Sequence, residues 1–259
     1  MKYAIIAAGE GSRLAEEGIA APKPLVKVGG ESLIDRLLRI FRNQGARETY
    51  VICRPDSNPR SDGSLTVENH LRQLHEQGMP LHVLVKATPS SMHSLHELSM
   101  LMGDEEPFCL TTVDTIFRED EFTAYTAELH RLMESGEADG LMGVTEYIDD
   151  EKPLYVRCDA DNNITAFLDS DDQPRYVSAG IYGLSPRAFA TLRACIERGE
   201  SRMRNFQRAL LTDGMRLKAW PMTKVLDIDH ADDIRKAEDF LSGGATTTSA
   251  ATKDKKQFA

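Results

Sequence analysis

A glycine-rich segment, Ala7-Ala8-Gly9-Glu10-Gly11-Ser12-Arg13-Leu14, follows directly on an apolar run near the start of the chain. Glycines let a backbone come close to a phosphate or a base and leave its N–H groups free to donate. Arg13 lies inside the segment, and Pro22-Lys23-Pro24-Leu25 follows shortly after it. Two cations beside a glycine loop suit a triphosphate, because each offsets charge on phosphate oxygens. The flanking prolines restrict the backbone around Lys23 and aim its side chain. A plain strand-to-helix turn is the bland reading. A dinucleotide-binding fingerprint would need a third glycine where Leu14 stands, and a P-loop would need Gly-Lys-Ser/Thr at a spacing this loop lacks.

Two acidic segments come later. Phe108-Cys109-Leu110-Thr111-Thr112-Val113-Asp114 reads as a buried strand ending in an acid. Ligands of open α/β sheets bind outside the carboxyl ends of the strands, so a metal ligand is useful at Asp114. Capping of a helix that starts near Glu119 explains Asp114 equally well on the residues alone. Val225-Leu226-Asp227-Ile228-Asp229-His230-Ala231-Asp232-Asp233 is the second segment, and Asp229 or His230 can cap the helix after it. Thr88-Pro89-Ser90-Ser91-Met92-His93-Ser94 opens another helix. His93 and His96 lack further ligands nearby and read as capping or surface residues.

Positioning these groups takes an ordered set of elements. Strands predicted over residues 2–8, 48–53, 81–85 and 108–113 alternate with helices over 33–41, 67–74, 93–101 and 119–133. Ser32 caps the first of these helices. Such alternation implies an α/β fold in three layers, a mostly parallel sheet with helices on both faces. A strand over 141–144 comes next. Short strands over 155–158, 164–168 and 176–184, between acidic turns, then suggest a small inserted β-meander. Helices over 186–198 and 203–211, a strand over 217–220 and a helix over 231–241 close the domain. Residues 55–64 read as a polar loop. Residues 242–259, almost without large apolar groups, are expected to be a disordered tail behind a single domain of residues 1–241.

With 259 residues, 41% hydrophobic and 28% charged, the chain can bury a sizeable core. A net charge of −10 argues against nucleic acid as the partner. A triphosphate is still within reach, through local cations, backbone N–H groups and a bound cation. Cys53, Cys109, Cys158 and Cys195 lie far apart, form no CxxC pair and suggest neither zinc nor disulfides. The N-terminus does not read as a signal peptide, and no apolar stretch approaches the roughly 20 residues that span a bilayer. These features point to the cytoplasm. Oligomeric state is not legible.

The pattern A-A-G-x-G-S-R-L followed by P-K-P-L resembles the signature of the nucleotide-sugar pyrophosphorylases and related nucleotidyltransferases, from Lys2 to about Leu241. That family includes sugar-1-phosphate nucleotidylyltransferases and phosphocholine cytidylyltransferases. The resemblance implies a nucleotide-diphospho-sugar transferase-like fold and a Mg2+-dependent nucleotidyltransferase. Such an enzyme moves a nucleotidyl group from a nucleoside triphosphate to a phosphorylated acceptor and releases pyrophosphate. A sugar 1-phosphate is the first expectation for the acceptor, and phosphocholine or a similar compound the second.

On the same resemblance, Ala7, Ala8, Gly9, Glu10, Gly11, Ser12, Arg13 and Ser91 contact the nucleotide. Arg13 and Lys23 are catalytic. Asp114 and Asp227 hold magnesium, with Asp229 in reserve. Asp172, Ser178 and Gly180 belong to the acceptor side. Here Ser178-Ala179-Gly180-Ile181-Tyr182 is similar to the family's N-x-G-I-Y segment. Asp171-Asp172-Gln173-Pro174 stands where sugar-specific members carry Glu-Lys-Pro, so Gln173 replaces the lysine for the acceptor phosphate. Val113, Ser90 and Val156 each replace a family glycine. A nucleotide-binding regulatory module without turnover is the reading of a different class, and the intact Arg13, Lys23, Asp114 and Asp227 argue against it.

Overall fold

A computed structural model describes residues 1–55, 66–149 and 152–243. In chain order it contains β1 (Lys2–Ala7), α1 (Ser12–Glu16), a 3-10 turn (Lys23–Leu25), β2 (Lys27–Val28), β3 (Glu31–Ser32), α2 (Leu33–Asn43) and β4 (Thr49–Cys53). Then come α3 (Val67–Glu76), β5 (Leu81–Val85), α4 (Ser91–Met102), β6 (Phe108–Thr112), β7 (Thr115–Ile116), α5 (Glu119–Ser135) and β8 (Gly140–Thr145). The last part holds β9 (Tyr155–Cys158), β10 (Ile164–Leu168), β11 (Tyr176–Leu184), α6 (Ala188–Glu197), α7 (Met203–Thr212), β12 (Leu217–Met222), β13 (Leu226–Asp227) and α8 (Ala231–Ser242).

β5, β4, β1 and β6 lie side by side and parallel. β1 alternates between two cores, as the period of two in a strand requires. Tyr3, Ile5 and Ala7 enter the core covered by α2, α3, α5 and α8. Ala4, Ile6 and Ala8 enter the opposite core under α4, α6 and α7. The three layers therefore follow from one continuous apolar run with helices on either side. α2 forms as its spacing predicts: Ser32 Oγ accepts the Asp35 N–H at 3.2 Å, and Leu33, Ile34, Leu37, Leu38 and Phe41 are buried.

β11 is the hinge of the topology. It runs antiparallel to β6 and to β8, and β12 runs parallel to β8 at that edge. Its C-terminal residues 181–184 pair with β6, while Tyr176 and Val177 pair with β9, which carries β10. The inserted meander is thus fused to the main sheet, because one strand is long enough to serve both.

The expected tail begins inside α8, which extends through Ser242. Residues 244–259 of that tail, and 56–65 of the polar loop region, lie outside the described residues. Among the described residues no helix is long and apolar enough to cross a membrane.

Candidate active site

The carboxyl ends of β1, β4, β5 and β6 open on a cleft of about 500 Å³. Ala7, Ala8, Gly9, Glu10, Gly11, Ser12 and Arg13 all line it, with Lys23, Arg54, Asp114 and Asp229. Thr88, Pro89, Ser90, Ser91 and Ser94 supply the far wall. Ser91, expected on the nucleotide side, is the first residue of α4. Ser90 caps that helix, and its Oγ lies 2.9 Å from His93 Nδ1, so His93 serves the cap. Gly11 has φ +62°, and a Cβ there would stand 2.9 Å from Lys23 Cβ. Glycine at this position lets the loop fold directly against the Pro-Lys-Pro segment.

Lys23 sits in the 3-10 turn with Pro24 beside it, and only 9% of its side chain is exposed. Its Nζ lies 2.5 Å from Asp114 Oδ2 and 2.6 Å from Asp229 Oδ1. Arg13 Nη1 is 3.1 Å from Asp229 Oδ2. Burial by itself would depress the Lys23 pKa. The charge of Asp114 and the hydrogen bonds to Asp114 and Asp229 outweigh it and hold the ammonium above the ordinary lysine value.

Asp114 and Asp229 meet through a two-stranded ribbon. β13 pairs antiparallel with β7, Leu226 opposite Ile116 and Asp227 opposite Thr115. The next amide, Ile228 N–H, donates to the Asp114 carbonyl at 3.1 Å. Asp233 Oδ2 then accepts from the N–H groups of Asp229 and His230 at 3.2 and 2.8 Å, which sets the turn into α8. Asp114 caps no helix, since the N-cap of α5 is Arg118.

Among the described residues no group of three or more His, Cys, Asp and Glu side chains is placed to hold a metal. Two hard carboxylates converging on the Lys23 ammonium are the donor type that a magnesium-type ion would need, alongside phosphate oxygens and water. The carboxylate that joins Asp114 at Lys23 is Asp229. Asp227 lines a neighbouring cleft of about 240 Å³. The chain leaves the ribbon after Asp227, so the Asp233 cap sets the direction of Asp229 more than strand alternation does.

Arg13 and Asp229 line both clefts and mark their boundary. Ser178 lines the second cleft, beside Tyr147, Asp149, His230, Asp233 and Lys236. Its Oγ also donates to Gln207 Oε1 at 3.2 Å. Gly180, at φ +70°, lies in the irregular stretch of the β11–β8 pairing, and a Cβ there would be 3.1 Å from Thr115 Oγ1. Its place is therefore beneath the turn that carries Asp114, not on the cleft wall. Asp172 is exposed between β10 and β11 and is not among the residues that line either cleft. Its neighbour Asp171 is held by Arg157 at 2.7 Å. Burial first, and then the charges of Asp227 and Asp114, push the Tyr182 phenol up to about 12, so it stays neutral below the site.

Several site residues escape a reading of the sequence. Asp233 had a signal, the acid three places after His230 that marks a capping box. Lys236 reads as a surface lysine in an i, i+3 pair with Asp233. Arg54 is the residue after β4, and its guanidinium lies 2.8 Å from Glu10 Oε1.

The MobA-like NTP transferase domain family matches residues 3–213. The glucose-1-phosphate cytidylyltransferase of Salmonella typhimurium is 36% identical over 53 residues, which is 20% of this chain and 21% of that protein. The bifunctional IPC transferase and DIPP synthase of Rubrobacter xylanophilus is 26% identical over 251 residues, which is 94% of this chain and 52% of that protein. The chain thus spans about a fifth of the first relative and about half of the second. The inositol-1-phosphate CTP transferase from T. maritima has the same fold, with a TM-score of 0.70 at 17% identity over 93% of this chain and 97% of that one.

Proposed function

The chain belongs to the MobA-like NTP transferase domain family, and from that premise we propose that it transfers a nucleotidyl group from a nucleoside triphosphate to a phosphorylated small molecule, a sugar 1-phosphate first of all, and releases pyrophosphate. The observation that carries this reading is the meeting of Lys23, Asp114 and Asp229, from three distant parts of the chain, inside a cleft walled by the glycine loop.

An oxygen of the acceptor phosphate attacks the α-phosphorus, and the bond to the bridging oxygen of pyrophosphate breaks in line. The nucleophile is already an anion, so the protein supplies position and charge and needs no general base. The glycine loop and the start of α4 hold the nucleoside. Arg13, on the boundary between the clefts, offsets charge on the leaving pyrophosphate and borders the acceptor phosphate. Lys23 draws the two reacting phosphates together. Asp114 and Asp229 would hold Mg2+, which when bound supplies neutralisation of phosphate charge. We assign the reaction to the cytoplasm, where free thiols such as Cys53, Cys109, Cys158 and Cys195 stay reduced.

The second reading is a cationic, non-sugar acceptor such as phosphocholine. It is favoured by the surplus of carboxylates in the second cleft, where Asp149, Asp227, Asp229 and Asp233 face Arg13 and Lys236. A pyrophosphate-release screen of the four common triphosphates against sugar 1-phosphates, inositol 1-phosphate and phosphocholine tests both readings. Release with a sugar phosphate alone supports the first. Absence of release from every pair, with nucleotide still bound, would instead indicate a regulatory module.

A further inference from the structure

We propose that Arg54 is a third cation for the triphosphate, kept at the cleft by Glu10 and handed to the phosphates when nucleotide enters. The inference rests on the nucleotidyltransferase reading. β4 lies beside β1 in parallel register, with Cys53 opposite Ala7. The residue after β4 therefore comes level with the loop after β1, and Arg54 borders the same cleft as Arg13 and Lys23. It also lines a smaller pocket shared with Glu10, Pro22 and Lys23.

The Arg54–Glu10 contact is open to solvent, with side chains 40% and 68% exposed. A pair between such exposed groups is held weakly. A triphosphate offers several oxygens, and a planar guanidinium binds two of them side by side, more firmly than it binds one solvated carboxylate. The charges in the cleft point the same way. Arg13, Lys23 and Arg54 face Glu10, Asp114 and Asp229, so the lining sums to zero only with Arg54 included. Glu10, unpaired at the mouth of the loop, would repel a polyanion. Paired with Arg54, it keeps the cation at the site and screens its own charge.

The two partners should then act in opposite directions, which a simple brace of the loop would not do. Calorimetric titration of the full chain with inorganic pyrophosphate and Mg2+, and with CTP, UTP, ATP and GTP in parallel, reads this directly. Arg54→Ala should weaken pyrophosphate binding by about tenfold or more. Arg54→Lys should recover part of the loss. Glu10→Gln should tighten binding by up to about fivefold, and that gain should vanish in the Arg54→Ala background. Shifts of both single variants in one direction, or an unchanged Arg54→Ala, would overturn the proposal and leave the nucleotidyltransferase reading standing. A wild-type chain that binds neither pyrophosphate nor any triphosphate would sink both.

Discussion

Lys23 carries more structural weight than a loop lysine between prolines suggests. Its ammonium separates two carboxylates that would otherwise face each other. Lys23→Ala should therefore lower stability by about 1–2 kcal/mol, less than for a fully buried pair because Asp229 is half exposed. Added Mg2+ should restore part of that loss, and melting with and without the ion reads the effect. Turnover should fall by ~10²–10³. Arg13 differs, since its side chain is 55% exposed. Arg13→Ala should leave stability within about 0.5 kcal/mol of wild type while weakening the triphosphate, and Arg13→Lys should rescue only part. The carboxylates give a sharper contrast. Asp114→Asn and Asp229→Asn should nearly abolish turnover, whereas Asp227→Asn should mainly raise the acceptor KM. A dead Asp227→Asn beside an active Asp229→Asn would return the metal to the residue that the family pattern favours.

Individual elements serve the site by tying distant strands together. The β7–β13 ribbon, only two residues long on each side, brings the C-terminal acids to Asp114. At the other end of the sheet, Asp139 performs a similar task for β8 and β12. It is buried, accepts the Arg216 N–H at 2.9 Å, and pairs with Arg187 at 2.7 Å and with the Arg216 guanidinium at 3.2 Å. Burial alone would raise its pKa. The Arg216 hydrogen bonds and the Arg187 charge prevail and hold it below the ordinary 3.8. A carboxyl with a depressed folded-state pKa stabilises the protein above its unfolded value, and the contribution fades as pH falls through the folded value. Asp139→Asn should thus cost about 1–2 kcal/mol near neutrality. Its melting temperature should approach that of wild type as the pH is lowered past 3.8. A gap that stays constant with pH would mean that packing, not charge, makes the difference.

At the scale of the whole molecule, two cores on opposite faces of one sheet leave the strand ends free to form the site. Two clefts share a wall at Arg13 and Asp229, which suits a reaction that brings two phosphates together. A triphosphate in the larger cleft and an acceptor in the smaller one would have their reacting groups meet at that wall. Residues 244–259 contain Phe258 as their one large apolar side chain. Their deletion should change neither melting temperature nor turnover, since little apolar surface is available to bury. A clear drop in melting temperature on truncation would show that the segment packs on the domain.

The sequence alone determined the alternation of strands and helices, the glycine loop with Arg13 and Lys23, and Asp114 at a strand end. Each is written locally: a continuous apolar run in β1, period 3.6 in α2, and loop residues adjacent in the chain. β2, β3, β7 and β13 were not legible, because two residues show no period, and neither was α1, whose five residues make little more than one helical turn. Tertiary structure decided what depended on distant pairing. Lys23 and Asp229 lie 206 residues apart, and their contact follows from the register of β13 on β7 and from the Asp233 cap. The approach of Asp229 to Lys23, the exposed turn that carries Asp172 and the approach of Arg54 to Glu10 share that origin. A side chain's type is local, but the side chains it faces are set by register, turn direction and strand order, and these exist only once the sheet has formed.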